Sequence, residues 1–233
     1  MSRPPQVVTA HSTQQGGRIH LLLNELPGAN PEQDRRYKSR LRGGLEETIQ
    51  AISPAVDLRD AYAQGHQEHV AAFAVAIAHA MHLPENEVSE VYVAAIVRDI
   101  GKLKVPAAIL AKPGRLCEFE HRLIQRHAEA GRDILKDITF PWAIADIVWQ
   151  HHERLDGSGY PRGLRGDEIL MGARVIAVAD VVEAMATRRP YRPALGIDAA
   201  LVEIVRKRGI AFDTAVVDAC LQLLREDPIA LQP

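Results

Sequence analysis

Apolar residues recur at spacings of three and four along most of this 233-residue chain, and no alternating apolar–polar run exceeds a few positions. That period belongs to a helix burying one stripe, not to a half-buried strand. Val70, Phe73, Ala74, Ile77, Ala80 and Met81 form one stripe, in a helix that opens at His66. Leu83-Pro84-Glu85 ends it and starts another, running through Val88, Val91, Ala95 and Ile96 to Asp99 and stopped by Gly101. Further helices are expected at Pro106–Leu110, at Glu118–Leu135 with an interruption at Gly131, and from Pro141, as first helical residue, to about His152. Ala173–Thr187, Asp198–Lys207 and Asp213–Arg225 complete the set. The expected fold is all-α, a single compact helical bundle.

Residues 1–35 carry Pro4, Pro5, Gly16, Gly17, Pro27, Gly28 and Pro31 with little periodicity and read as a flexible leader. The bundle then spans 36–233. It consists of a leading helix over 36–63, weakened at Gly43-Gly44, a core over 64–195, and closing helices over 196–233. Pairing of the leading helix with a copy of itself would give a homodimer.

Aromatics make up only 5% of a chain that is 47% hydrophobic, so the core is expected to be aliphatic. A net charge of -2 gives no electrostatic reason to expect duplex nucleic acid or an anionic membrane as partner. Cys117 and Cys220 do not make a disulfide framework. There is no signal-peptide pattern, and the run Ile19–Leu23 falls far short of the roughly 20 residues a bilayer span needs. A cytoplasmic location is expected.

The chemistry concentrates at His151-His152-Glu153-Arg154-Leu155-Asp156-Gly157-Ser158-Gly159-Tyr160-Pro161. Two adjacent imidazoles beside a tight glycine loop suggest a metal site with a substrate-holding rim, although a helix end and an ordinary loop would account for the pair alone. Asp180 resists a bland account, because a carboxylate within so apolar a helix is costly to bury unless something positive meets it. Asp99 sits at a helix C-terminal end, where the dipole disfavours an acid. With His66 and His127, these groups suit zinc, iron or manganese better than calcium or magnesium.

In order, His66, Arg98-Asp99, His127, His151-His152 and Asp180 resemble the ligand string of the HD-GYP family, a branch of the HD phosphohydrolases. Asp99-Ile100-Gly101-Lys102 is similar to that family's HDIGK element, and the His152–Pro161 run to its HHE and GYP elements. Arg189-Pro190-Tyr191-Arg192 is similar to the basic segment after the last aspartate.

The resemblance implies a helical domain whose core (64–195) holds divalent metals, commonly iron or manganese, and hydrolyses cyclic di-GMP in bacterial signalling. His66, Asp99, His127, His151, His152 and Asp180 would be ligands, with Asp99 bridging. Asp99 and Lys102 would act in catalysis, while Gly159, Tyr160, Pro161, Arg189 and Arg192 would contact the cyclic dinucleotide.

One departure is consequential. The family has a histidine where this chain has Arg98. Arginine has no lone pair to offer a metal and stays protonated. At an effective dielectric of about 20, unit charges 4 Å apart repel by roughly 4 kcal/mol, and a divalent ion doubles that. Either Arg98 swings away, or its guanidinium fills the first metal position and pairs with Asp99 and Asp180. Both outcomes leave one strong metal site and one weak or absent. Tyr62 offers no carboxylate for a third ion. The expected function is a cyclic di-GMP phosphodiesterase impaired by Arg98. The alternative is a catalytically silent member that binds the nucleotide or a signalling protein.

Overall fold

A computed structural model describes residues 65–186 and 196–226. The leader, the leading helix and the Arg189/Arg192 segment lie outside the described residues. Helices α1 (His66–Ala80), α2 (Glu85–Val97), α3 (Ala107–Leu110), α4 (Glu118–Gln125), α5 (His127–Leu135), α6 (Ile144–Gln150), α7 (Met171–Ala186), α8 (Ile197–Arg206) and α9 (Thr214–Glu226) follow in order. Short 3-10 turns cover Ile100–Lys104 and Gly166–Glu168. No strand occurs among the described residues, which hold two isolated bridges, Asp156 with Arg165 and Arg208 with Phe212. The all-α expectation holds.

The centre is α1 and α7, packed on each other and on α2. Both are apolar on most faces, as a helix surrounded by others must be. Val70, Phe73, Ala74 and Ile77 of α1 meet Val175, Ile176, Ala179 and Val182 of α7 in a core that α6, α8 and α9 close with Ile147, Ile204 and Val217. Phe73 and Phe212 are the buried phenylalanines among otherwise aliphatic side chains. Cys117 is exposed and Cys220 buried, without a disulfide between them. None of the described helices is long and apolar enough to cross a membrane.

Two of the helix boundaries that differ from the sequence reading position the site. The break between α4 and α5 falls at Arg126, not at Gly131. Gly131 lies within α5 because there is no room for a side chain: a methyl group there would stand 2.9 Å from Val148 Cγ1 and 3.5 Å from the Gly101 amide nitrogen. Gly101 faces it, and a methyl group at that position would overlap the His127 carbonyl oxygen. The pair lets the Ile100–Lys104 turn press directly onto α5, which brings Asp99 to His127.

The second difference is at α6, which begins at Ile144, not at Pro141. Ala143 (φ −80°, ψ 43°) is outside helical geometry, and its amide donates to Glu90 Oε1 at 3.0 Å. That bond anchors the segment to α2 before the helix starts.

Candidate metal and phosphodiester site

Six elements deliver the polar side chains to one end of the α1–α7 pair. Gly65, at φ 76°, turns the chain into α1 so that His66 and Gln67 begin the helix; that left-handed conformation suits glycine. Arg98 follows the end of α2, and Asp99 precedes the 3-10 turn. His127 begins α5, His151 and His152 follow α6, and Asp180 lies in the middle of α7.

One half of the site is an ion-pair cluster. Arg98 is fully buried. Its Nε donates to Asp180 Oδ1 at 3.2 Å, and its Nη1 to Gln67 Oε1 at 2.6 Å and the Ala95 carbonyl at 3.0 Å. Nη2 lies 3.1 Å from Asp180 Oδ1 and 3.5 Å from Asp99 Oδ2. Of the two courses open to Arg98, the structure shows the second: the guanidinium bridges both aspartates. Gln67 Nε2 donates to Asp99 Oδ2 at 3.3 Å, closing a ring of side chains around it.

Burial alone would raise the Asp180 carboxyl, but Arg98 and His66 hold it well below the usual carboxylate range. Burial would likewise raise Asp99, and Lys102, 3.4 Å from its Oδ2, together with Arg98 outweighs it. His66 lies between carboxylates, with Nε2 3.4 Å from Asp180 Oδ1 and Nδ1 against Glu183 Oε2. Burial pulls its pKa down, and hydrogen bonds to Asp180 and Glu183 more than restore it.

The other half contains neutral imidazoles. His127, His151 and His152 each offer a nitrogen within 4.8 Å of the others. His127 Nδ1 lies 2.7 Å from the Ile124 carbonyl, and His151 Nδ1 2.6 Å from that of Val148. A carbonyl only accepts, so both Nδ1 atoms carry the proton and both Nε2 atoms present lone pairs. Those two Nε2 atoms face each other at 3.3 Å. Two lone pairs cannot bond each other, whereas a cation between them satisfies both. Burial lowers the pKa of all three rings, that of His151 to about 3, which keeps them unprotonated and ready to ligate. Asp99 Oδ1 lies 3.4 Å from His127 Nε2, at the edge of this trio. The donor set therefore fits a divalent metal.

The glycine loop folds over the trio. Tyr160 stacks on His152 with ring centres 4.7 Å apart. A methyl group at Gly159 would come within 2.5 Å of the Glu153 Cα and the His152 carbonyl oxygen, so only glycine lets the loop lie so close. Buried Glu153 accepts the amides of Arg162 (2.7 Å) and Leu164 (3.0 Å), fastening the loop from beneath.

Sequence reasoning singled out every member of these clusters except Gln67 and Glu183, and named Glu153 within the HHE element without a role. Glu183 had a usable signal: it follows Asp180 by three positions, on the same face of an apolar helix. Gln67 had a weaker one, as an amide beside His66 at the start of an apolar stripe.

The sequence profile described as "HD domain" matches residues 50–216. The cyclic di-GMP phosphodiesterase response regulator RpfG of Xanthomonas campestris is 39% identical over 178 residues, 76% of this chain and 47% of that protein. The 3'3'-cGAMP-specific phosphodiesterase 3 of Vibrio cholerae is 39% identical over 186 residues, 78% of this chain and 40% of that protein. The chain thus spans half or less of the length of these relatives. The crystal structure of a cyclic GMP-AMP-specific phosphodiesterase from V. cholerae superposes with a TM-score of 0.62 at 20% identity, covering 80% of this chain and 50% of that one, a likeness of fold. With the profile covering most of its length, this chain belongs to the HD domain family, in the HD-GYP form.

Proposed function

We propose that this domain hydrolyses a phosphodiester bond of cyclic di-GMP at one divalent metal, iron or manganese, held by His127, His151 and His152 with Asp99 alongside. The observation that carries this reading is the pair of Nε2 lone pairs facing each other at 3.3 Å, each fixed by a carbonyl on the far side of its ring. The relatives named for cyclic-dinucleotide hydrolysis support the substrate class.

When bound, a divalent ion supplies Lewis-acid polarisation of a phosphoryl oxygen and acidifies the attacking water. The chain supplies the rest. Asp99, beside His127 Nε2, is placed to orient that water and accept its hydrogen bond. Lys102, next to Asp99, brings positive charge toward the phosphoryl oxygens. The loop fastened by Glu153 places Gly159, Tyr160 and Pro161 over His152, where they hold the nucleotide and restrict water. Arg189 and Arg192 complete the phosphate contacts in this reading. In the remaining half, Arg98 stands for a second cation, and His66 and Asp180 serve Glu183 and Arg98 in place of an ion.

Arg98 also favours a second reading: a member that binds the cyclic dinucleotide and passes the signal to a protein partner without cleaving it. Metal analysis and cyclic di-GMP hydrolysis by the wild type and Arg98→His separate the two. One metal per chain with slow turnover, rising to two metals and faster turnover in Arg98→His, supports a one-metal enzyme. Nucleotide binding without turnover in the wild type supports the second reading. Two metals in the wild type, with turnover matching Arg98→His, overturn the assignment of Arg98.

A further inference from the structure

A cavity of about 320 Å³ opens beside the imidazole trio and shares His152 with it. Its walls are His152, Arg154 and Tyr160 on one side and Lys207, Ile210 and Ala211 on the other. The second wall comes from the turn between α8 and α9, a segment that no metal or loop motif includes. Its volume falls at the lower end of the range for small-molecule clefts, roughly 300 to 1,000 Å³.

This turn is locked to the His-His-Glu segment. The Leu155 amide donates to the Ala211 carbonyl at 3.0 Å, and the Arg154 guanidinium lies 5.1 Å from the centre of the Phe212 ring. The position of the wall is therefore set by the same residues that follow the metal trio.

The chemistry of the walls favours an uncharged, flat ligand part over a phosphate. Lys207 Nζ already pairs with Glu203 Oε1 at 2.7 Å, and Arg154 Nη1 donates to the Glu153 carbonyl at 2.8 Å. Ile210 is 59% exposed, an isoleucine in water at the mouth of a polar site. Tyr160 offers an aromatic ring across the cavity. A nucleobase stacks on such surfaces whatever its sequence.

We propose that this cavity holds a purine base of the cyclic dinucleotide, with Ile210 packing on its face, while the scissile phosphodiester lies at the imidazole trio. The inference rests on the cyclic-dinucleotide reading above and adds Ile210 as a specificity-determining residue. Ile210 is exposed and lies outside regular helix, so its replacement leaves the core intact.

Calorimetric titration of the full chain with cyclic di-GMP tests the pocket, with hydrolysis followed in parallel. Ile210→Ser, which strips the apolar face, and Ile210→Trp, which fills the cavity, are each expected to raise Kd by at least about tenfold, 1.4 kcal/mol. Inorganic phosphate, which has no base, is expected to bind the variants and the wild type within about twofold. Unchanged Kd for cyclic di-GMP in both variants overturns the pocket and leaves the proposed activity standing. A wild type that binds in an Ile210-dependent way without turnover keeps the pocket and removes the activity. A wild type that does not bind overturns both.

Discussion

Arg98, fully buried, and Asp180, 82 positions apart in the chain, meet as a part-buried ion pair, with Nε donating to Oδ1 at 3.2 Å. Around it, Gln67 accepts from Nη1, and the two aspartates face Nη2 as ion-pair partners, so the guanidinium is fully buried among acceptors. A buried charge is tolerable only in such company, because its desolvation costs several kcal/mol. In the arrangement one positive side chain answers two aspartates, which in the proposed function takes the place of a cation.

Arg98→Met should test that settlement directly. It removes the positive partner and leaves Asp99 and Gln67 buried and Asp180 half-buried without it, a change that for a buried pair typically costs about 3–5 kcal/mol. In urea unfolding the midpoint should fall with little change in slope, and Tm should drop by roughly 6 °C or more. A loss under about 1 kcal/mol would mean that the pair contributes little to the fold.

Much of this was legible from residue types. The imidazoles and acids stood out as a set, although the His pair alone had an ordinary explanation, and Arg98 stood out against its motif. The sequence left two courses open for Arg98, since pairing across 82 positions depends on how α2 and α7 pack. Glu183 and Gln67 were missed because a glutamate or glutamine in a helix usually faces water; the spacing of Glu183 from Asp180 and the place of Gln67 beside His66 were weak signals that burial makes plain. Gly131 was misread as a break because a glycine that permits close packing looks, in one dimension, like one that ends a helix. Ile210 was invisible for the opposite reason: an exposed apolar residue is ordinary until a cavity is seen beside it.

Gly101→Ala should damage both fold and site. The added methyl group meets the His127 backbone carbonyl, not a flexible side chain, so α5 must move. Overpacking typically costs about 1–3 kcal/mol, and here the displaced element carries His127, a ligand in the proposed function. The expected result is a Tm lowered by at least about 2 °C together with weaker metal binding. Ser158→Ala, at an exposed position on the loop, is the comparison. Equal Tm and metal content in Gly101→Ala would contradict the close approach of Asp99's turn to α5.

Glu153→Ala should separate loop from metal. Its two oxygens hold the Arg162 and Leu164 amides, and losing an acceptor from buried donors costs roughly 1–3 kcal/mol each. Freed from beneath, the glycine loop no longer holds Tyr160 over His152. The expected outcome is a KM for cyclic di-GMP raised about tenfold or more, with metal content within error of the wild type. A fall in metal content with KM unchanged would place Glu153 in support of the imidazoles and not of the loop.

The two halves of the site should respond differently to metal. An ion that binds the folded chain at about 100 times its Kd stabilises by roughly 2.7 kcal/mol, which in a chain of this size raises Tm by about 5–10 °C. His151→Ala removes one of the two facing Nε2 lone pairs and should abolish that rise, with metal affinity down at least about tenfold. Asp180→Asn keeps an oxygen acceptor for Arg98, and its side chain serves the ion-pair half. It should retain most of the metal-dependent rise, although its metal-free Tm falls. Thermal melts with and without manganese, repeated after chelation, read both effects on one axis. If Asp180→Asn loses the rise as completely as His151→Ala, the ion sits between the halves, where the guanidinium now lies, and the one-centre picture fails.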